Sequence, residues 1–241
     1  MSFNKNLNLT INPYLQKTYE DAAENYRFKF LLQEMNLQLQ SSSNLLDIGC
    51  AKGEFIYLVK KHFPQISCFG IDASPQLIEL AKKEKSLSSS YFECADAENF
   101  HLNDQLFDIV VMSGLLSIFD DPSKCLKSAA AHMKPGTNLY IFGGFNTENI
   151  DTLVRYRLND GYEGVWQSGW NMFSIETIKS LAAPYFKLRN TSRFHLPTNL
   201  PKTNDPVASY TIETASADRS RLILTGGNVV RDFHLLHFER S

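Results

Sequence analysis

The chain has 241 residues, enough for one large α/β domain, and its 24 basic and 26 acidic side chains leave a formal charge of −2. That balance supplies no one-sided positive field and argues against a nucleic-acid partner; 43% hydrophobic and 21% charged residues argue against wholesale disorder. Cys50, Cys68, Cys94 and Cys125 form no Cys-x-x-Cys pair and stand at no metal spacing with histidine, so reduced thiols, a cytoplasmic location and no metal are expected.

The chain opens without a basic segment leading into an apolar core, so no export signal is read. Its longest apolar stretch, 107–119, carries Asp108, Ser113, Gly114 and Ser117 and is too short to span a bilayer. Within residues 1–40, Phe28, Leu31, Leu32, Met35 and Leu39 recur at helical spacing, which fits a helical cap that packs on a sheet or covers a site. From 41 to 145, short apolar runs alternate with helical patterns. Leu45–Ile48 reads as the first strand, followed by a helix through Phe55, Ile56, Val59 and Phe63 that Pro64 stops. Ser67–Ile71 is the second strand. Ser74 with Pro75 then starts a helix burying Leu77, Ile78, Leu80 and Ala81. Tyr91–Cys94 and Phe107–Met112 are the next strands. Asp121-Pro122 opens a helix through Met133, ended by Lys134-Pro135-Gly136, and Leu139–Phe142 is the fifth strand.

From 146 to 241 the pattern changes. Residues 147–158 read as helical, an aromatic glycine-containing loop runs from Gly161 to Trp170, and Ser174 caps a helix through Leu181. Phe186–Phe194, Ser209–Thr214, Arg221–Thr225 and Phe233–Phe238 read as strands. The whole predicts a single domain: a three-layer α/β sandwich with a mostly parallel sheet, helices on both faces and antiparallel strands at its carboxyl-terminal side.

Residues 44–54, Asn-Leu-Leu-Asp-Ile-Gly-Cys-Ala-Lys-Gly-Glu, join an apolar run ending in Asp47, a turn with Gly49 and Gly53, and the start of a helix. A buried parallel strand feeding a nucleotide-type site at its carboxyl end reads this way. Asp72 ends the second strand, where a carboxylate can accept both cis hydroxyls of a ribose. The glycine spacing is wrong for the dinucleotide fingerprint Gly-x-Gly-x-x-Gly, since only three residues separate Gly49 from Gly53.

This stretch resembles motif I of the class I S-adenosylmethionine-dependent methyltransferases, usually written Asp/Glu-x-Gly-x-Gly-x-Gly. The resemblance covers roughly residues 40 to 145 and extends to Gly70-Ile71-Asp72-Ala73-Ser74, Cys94-Ala95-Asp96-Ala97-Glu98, Phe107 to Gly114, and Lys134-Pro135-Gly136-Thr137. It implies a Rossmann-like sheet, S-adenosyl-L-methionine as cofactor and S-adenosyl-L-homocysteine as product. The cofactor site it implies contains Asp47, Gly49, Cys50, Ala51, Gly53, Asp72, Ala73, Asp96, Ala97 and Ser113. An acid near the turn would meet the ligand's ammonium, and turn amides its carboxylate. Asp96 and the Ala97 amide would meet the adenine. Ala51 replaces the middle glycine, which is tolerated if its φ is negative.

Methyl transfer from a sulfonium is an in-line displacement, and an oxygen nucleophile also needs its proton removed. Many family members carry a Glu-His pair after the fourth strand; here Ser117 and Ile118 stand there, so no base carries over. His195, after a predicted strand, is a candidate base, with a structural or surface role as its alternative. His101 and His132 read as surface residues. Tyr162, Trp166, Trp170 and Asn171 are candidate acceptor contacts, unless the tryptophans anchor the following helix. No nucleic-acid methylation signature is present: Asn12-Pro13-Tyr14 precedes the first strand, and no Pro-Cys occurs. The pattern from Asp205-Pro206 to His234 resembles methyltransferases of bacterial polysaccharide and natural-product clusters. The expected acceptor is therefore a small molecule or saccharide, methylated on a hydroxyl or less favourably on nitrogen. A non-catalytic cofactor-binding module, a transferase of another part of the cofactor, and a nicotinamide oxidoreductase are the alternatives.

Overall fold

The computed structural model describes residues 18–35, 43–157, 166–168, 170–202, 208–213, 221–225, 227 and 229–241. Helix α1 (Tyr19–Ala23) begins with a capping box in which Thr18 and Asp21 exchange side-chain-to-amide bonds. Helix α2 (Tyr26–Met35) buries Phe28, Leu31, Leu32 and Met35, the face read from their spacing; Leu39 lies outside the described residues.

Strand β1 (Asn44–Ile48) leads into α3 (Glu54–His62), β2 (Ser67–Asp72) and α4 (Pro75–Lys83). As expected, Ser74 Oγ caps α4, accepting the Leu77 amide at 3.3 Å, with Pro75 in the first turn. Then come β3 (Tyr91–Cys94), β4 (Phe107–Ser113), α5 (Ser123–Ala131) and β5 (Met133–Asn146). Helix α5 stops two residues before Met133, which already pairs with Phe107.

After β5 the helix expected over 147–158 is not formed in the described part of that segment. Asn146 Oδ1 captures the Glu148 amide at 3.0 Å, its Nδ2 donates to Ile150 O, and Thr152 bridges to Met172. Short polar side chains that hold nearby backbone groups compete with helical bonding in this way. The chain forms β6 (Arg155–Tyr156), which pairs with β7 (Gln167–Ser168), then β8 (Phe173–Ser174) and α6 (Ile175–Ala182), capped by Ser174 as expected.

Strands β9 (Phe186–Arg193), β10 (Tyr210–Glu213), β11 (Arg221–Leu224), β12 (Val230–Arg231) and β13 (Phe233–Arg240) complete the chain. The main sheet runs β3-β2-β1-β4-β5-β13-β9, with β8 extending β5. Strands β1 to β5 are parallel, and β13 lies antiparallel to both β5 and β9. Strands β10, β11 and β12 do not join it; they form a separate three-stranded antiparallel sheet.

Alternating strand residues feed two cores. Leu46, Val110, Met112 and Ile141 pack with Leu126 and Ala129 of α5 and Ile178 of α6. Leu45, Val111 and Phe142 pack on the other face with Leu31 of α2, Phe55 and Val59 of α3, and Ile78 of α4. Each such fully buried side chain is worth about 1.5–3 kcal/mol relative to exposure. Strand order reverses between β1 and β4, so the crevice at their carboxyl ends is the position where an open α/β sheet places its ligand.

Candidate active site

The turn after β1 is built around left-handed backbone: Gly49, Ala51 and Gly53 have φ of 78°, 52° and 84°. Gly53 has no substitute, since a Cβ there would stand 2.9 Å from both Leu87 and Phe92. The condition for an unstrained methyl group at Ala51, a negative φ, is not met. Its left-handed conformation is held because its amide donates to Asp72 Oδ2 at 2.9 Å. The other Asp72 oxygen accepts the Ser74 amide at 2.9 Å, so the carboxylate faces the turn and clamps it to β2.

The turn amides are engaged within the protein. Gly49 and Cys50 both donate to Ile71 O, at 2.8 and 2.9 Å, and Gly53 donates to Cys50 O at 2.9 Å. The expectation that such amides meet a ligand carboxylate is therefore corrected for these positions.

A narrow cleft opens at this turn, lined by Arg27, Phe28, Asp47, Gly49, Cys50, Ala51, Glu54, Phe55 and Ser113. Arg27 was not legible as a site residue. It projects from α2, with its Cζ 4.6 Å from the Phe28 ring centre. Its Nη1 reaches within 3.6 Å of where a Cβ on Gly114 would stand, at the tip of β4. Arg27 Nε and Ser113 Oγ are buried and lack hydrogen-bond partners among the described residues. Buried polar atoms are normally paired, so both atoms retain hydrogen-bonding capacity at the cleft.

Asp47 is 2% exposed, and its carboxyl is pushed up to about 7, chiefly by burial and then by Asp72, with Arg27 opposing. Asp72 is raised by burial against the lowering effect of its two amide donors. Beyond Asp72, Ala95 donates to Asp72 O at 3.0 Å and ties the next loop to the tip of β2. On that loop Ala97 is buried, while Asp96 is exposed and accepts the Glu98 amide at 2.9 Å. Ala73 stands between Asp72 and Ser74, and its carbonyl receives the Cys94 thiol at 3.7 Å.

The acceptor side is arranged differently from the sequence reading. Asn171 is 1% exposed and spent on the fold: Nδ2 donates to Phe119 O at 2.6 Å, Oδ1 accepts the Val154 amide at 2.8 Å, and its own amide donates to Ser117 O. It positions the loops after β4 and β5 and does not offer its amide group to a ligand. Trp170, left-handed at φ 56°, packs against Tyr156 with ring centres 4.5 Å apart. Trp166 is half exposed under Arg157, and neither tryptophan is a core anchor. Tyr162 lies outside the described residues.

His195 follows β9 at the carboxyl edge of the sheet, but it is exposed and does not line the cleft. Its neighbour His234 is 4% exposed, with Nε2 4.0 Å from Asp232 Oδ2, and burial lowers its pKa. His132, read as a surface residue, is buried; its Nδ1 bonds Ser128 O and its Nε2 receives the Leu102 amide. Among the described residues no group of three or more His, Cys, Asp or Glu could hold a metal, and no helix is long and apolar enough to cross a membrane.

A family profile described as a methyltransferase domain matches residues 20–182, more than half of the chain. The ubiquinone biosynthesis O-methyltransferase of Coxiella burnetii is 32% identical over 118 residues, 48% of this chain and 48% of that protein. The malonyl-[acyl-carrier protein] O-methyltransferase of Acetivibrio thermocellus is 32% identical over 91 residues, 38% of this chain and 32% of that protein. The chain thus spans half or less of these curated relatives. The N-methyltransferase NodS of Bradyrhizobium japonicum, solved with S-adenosyl-L-homocysteine, superposes with a TM-score of 0.53 at 18% identity, over 89% of this chain and 85% of that one. The chain belongs to the methyltransferase-domain family. Its fold is that of the class I S-adenosylmethionine-dependent methyltransferases.

Proposed function

We propose that the cleft binds S-adenosylmethionine and that the protein directs its methyl group to a hydroxyl of a small-molecule acceptor. The observation that carries this reading is the convergence of Arg27 and Asp47 on one cleft. A guanidinium and a carboxylate facing each other complement the two charges of an amino-acid end. In this reading Arg27 takes the carboxylate, Asp47 the ammonium and Asp72 the ribose hydroxyls, each Asp72 oxygen keeping acceptor capacity beyond its single amide bond. Asp96 and the Ala97 amide hold the adenine. Gly49, Cys50, Ala51 and Gly53 shape the floor, Ala73 continues it, and Ser113 closes the methyl end.

When bound, the cofactor supplies a methyl group on a sulfonium whose departure leaves a neutral thioether. The protein's contribution is then alignment of the nucleophile and exclusion of water. Gly114 gives the β4 tip no side chain, and the Trp170–Tyr156 pair beside Ser117 offers an aromatic wall for the acceptor. Two curated relatives are named O-methyltransferases, which supports oxygen; the solved NodS is an N-methyltransferase, which makes nitrogen the arm to test against.

The test is incubation with S-adenosylmethionine and a panel of phenols, saccharides and amines, read by mass spectrometry for products carrying one added methyl. Methylated hydroxyl products are expected. Products confined to amines would overturn the oxygen assignment, and the absence of adenosylhomocysteine formation with every acceptor would overturn methyl transfer itself.

A further inference from the structure

We propose that helix α1 is a strap whose docking is coupled to the filling of the cleft, and that Tyr19 is the positioning residue that links the two. The inference rests on the proposed function, which puts an amino-acid end against Arg27 and the turn. Five residues are too few to hold a helix by backbone bonding alone, so α1 depends on what it docks against. The residues it buries are Ala22 and Ala23, which withdraw far less apolar surface from water than the Phe28, Leu31, Leu32 and Met35 that anchor α2. Few buried apolar contacts place α1 at the low-stability end of the fold, where an element can undock while the core stays closed.

Tyr19 ties this marginal helix to the site. Its hydroxyl donates to Lys52 O at 2.7 Å, and Lys52 stands between the left-handed Ala51 and Gly53. Neighbouring residues of one turn are thus held from two elements: Asp72 accepts the Ala51 amide, and Tyr19 grips the Lys52 carbonyl. The Tyr19 ring contacts Tyr57, ring centres 5.4 Å apart, and the Lys52 ammonium lies 5.1 Å from its centre. Burial, then the acids Glu84 and Glu54, hold the phenol above its ordinary range, so it stays a donor. A second link runs through the joint between α1 and α2. Asn25 donates its amide to Ala22 O at 3.1 Å, and its Oδ1 accepts the Arg27 amide at 3.0 Å. Undocking of α1 therefore loosens both the turn and the backbone that carries Arg27 at the cleft wall. A ligand that needs both in place binds the docked form better and, by reciprocity, stabilises docking.

The experiment follows amide exchange by mass spectrometry in the wild-type protein, first without ligand and then saturated with adenosylhomocysteine. Saturation should slow exchange over residues 18–26 by at least ~5-fold, the lower range of a coupling between sites. Tyr19→Phe keeps the ring and removes the donor. In that variant, ligand-free exchange over 18–26 should quicken by ~2- to 10-fold, the scale of one hydrogen bond, with the amides of β4 unchanged. Adenosylhomocysteine should also dissociate from it faster by a similar factor. No slowing over 18–26 on saturation, unchanged dissociation from Tyr19→Phe, or quickening shared equally by α1 and β4 would each overturn the inference. Failure of adenosylhomocysteine to bind the wild type at all would instead overturn the proposed function.

Discussion

Asp72 Oδ2 accepts the amide of Ala51 at 2.9 Å, so the acid at the tip of one strand holds a non-glycine residue in left-handed backbone at the tip of its neighbour. The same carboxylate therefore shapes the turn and faces the ligand. Ala51→Gly removes the steric cost of the left-handed conformation while the amide bond is kept. We expect a stabilisation of about 0.5–1 kcal/mol after the greater freedom of glycine in the unfolded chain is counted. Urea unfolding checks this, and a loss of stability would contradict it. Asp72→Ala should do the opposite, costing roughly 1–3 kcal/mol by stranding two amides and also weakening the cofactor.

Gly53→Val places a branched side chain where even a Cβ would meet Leu87 and Phe92 at 2.9 Å, on backbone at φ 84°. Adenosylhomocysteine binding should be lost. Unchanged affinity in a calorimetric titration would contradict the role given to this turn.

Asp47 couples the site to pH. Its folded-state pKa of about 7 lies above the ordinary value of 3.8, so the folded ligand-free protein keeps a proton that the unfolded chain releases. Its contribution favours folding most below about pH 4 and is lost as pH rises towards 7. Asp47→Asn, which cannot ionise, should therefore gain stability relative to the wild type between pH 5 and pH 8 while losing cofactor affinity. Binding of a ligand ammonium beside Asp47 favours its ionised form, so the wild type should release a proton on binding near pH 6, measurable as a buffer-dependent heat. A buffer-independent heat would contradict this coupling.

Asn171→Ala removes the hydrogen bonds that its side chain makes with the Val154 amide and the Phe119 carbonyl. Each lost hydrogen bond costs roughly 0.5–1.5 kcal/mol. Trp170→Ala should raise the acceptor KM with little change in cofactor affinity, whereas Asn171→Ala should lower the unfolding midpoint as well. Acceptor kinetics untouched by Trp170→Ala would exclude that ring from the acceptor wall.

The strand, turn and helix around Gly49 were legible because local chemistry and burial agree there. An apolar run, an acid, glycines at left-handed positions and the Ser74-Pro75 cap all specify one local geometry. Arg27 was not legible, because spacing on α2 identifies the buried stripe of Phe28, Leu31 and Met35 but not what its flank faces. The expected helix after β5 failed because Asn146 captures nearby backbone groups and Asp151 Oδ1 holds the Ser174 amide at 2.6 Å, the latter pairing depending on residues distant in sequence. Asn171 looked like a ligand contact for the same reason, since its partners belong to segments 17 and 52 residues away.

Comparing adenosylhomocysteine with 5′-methylthioadenosine, which lacks the amino-acid end, in titrations of wild type and Arg27→Met tests the central claim most directly. Loss of one charge-assisted contact should weaken adenosylhomocysteine by ~10- to 100-fold and leave 5′-methylthioadenosine nearly unchanged. Equal loss for both ligands, or none for adenosylhomocysteine, would contradict a cleft in which Arg27 and Asp47 hold the two charges of that end.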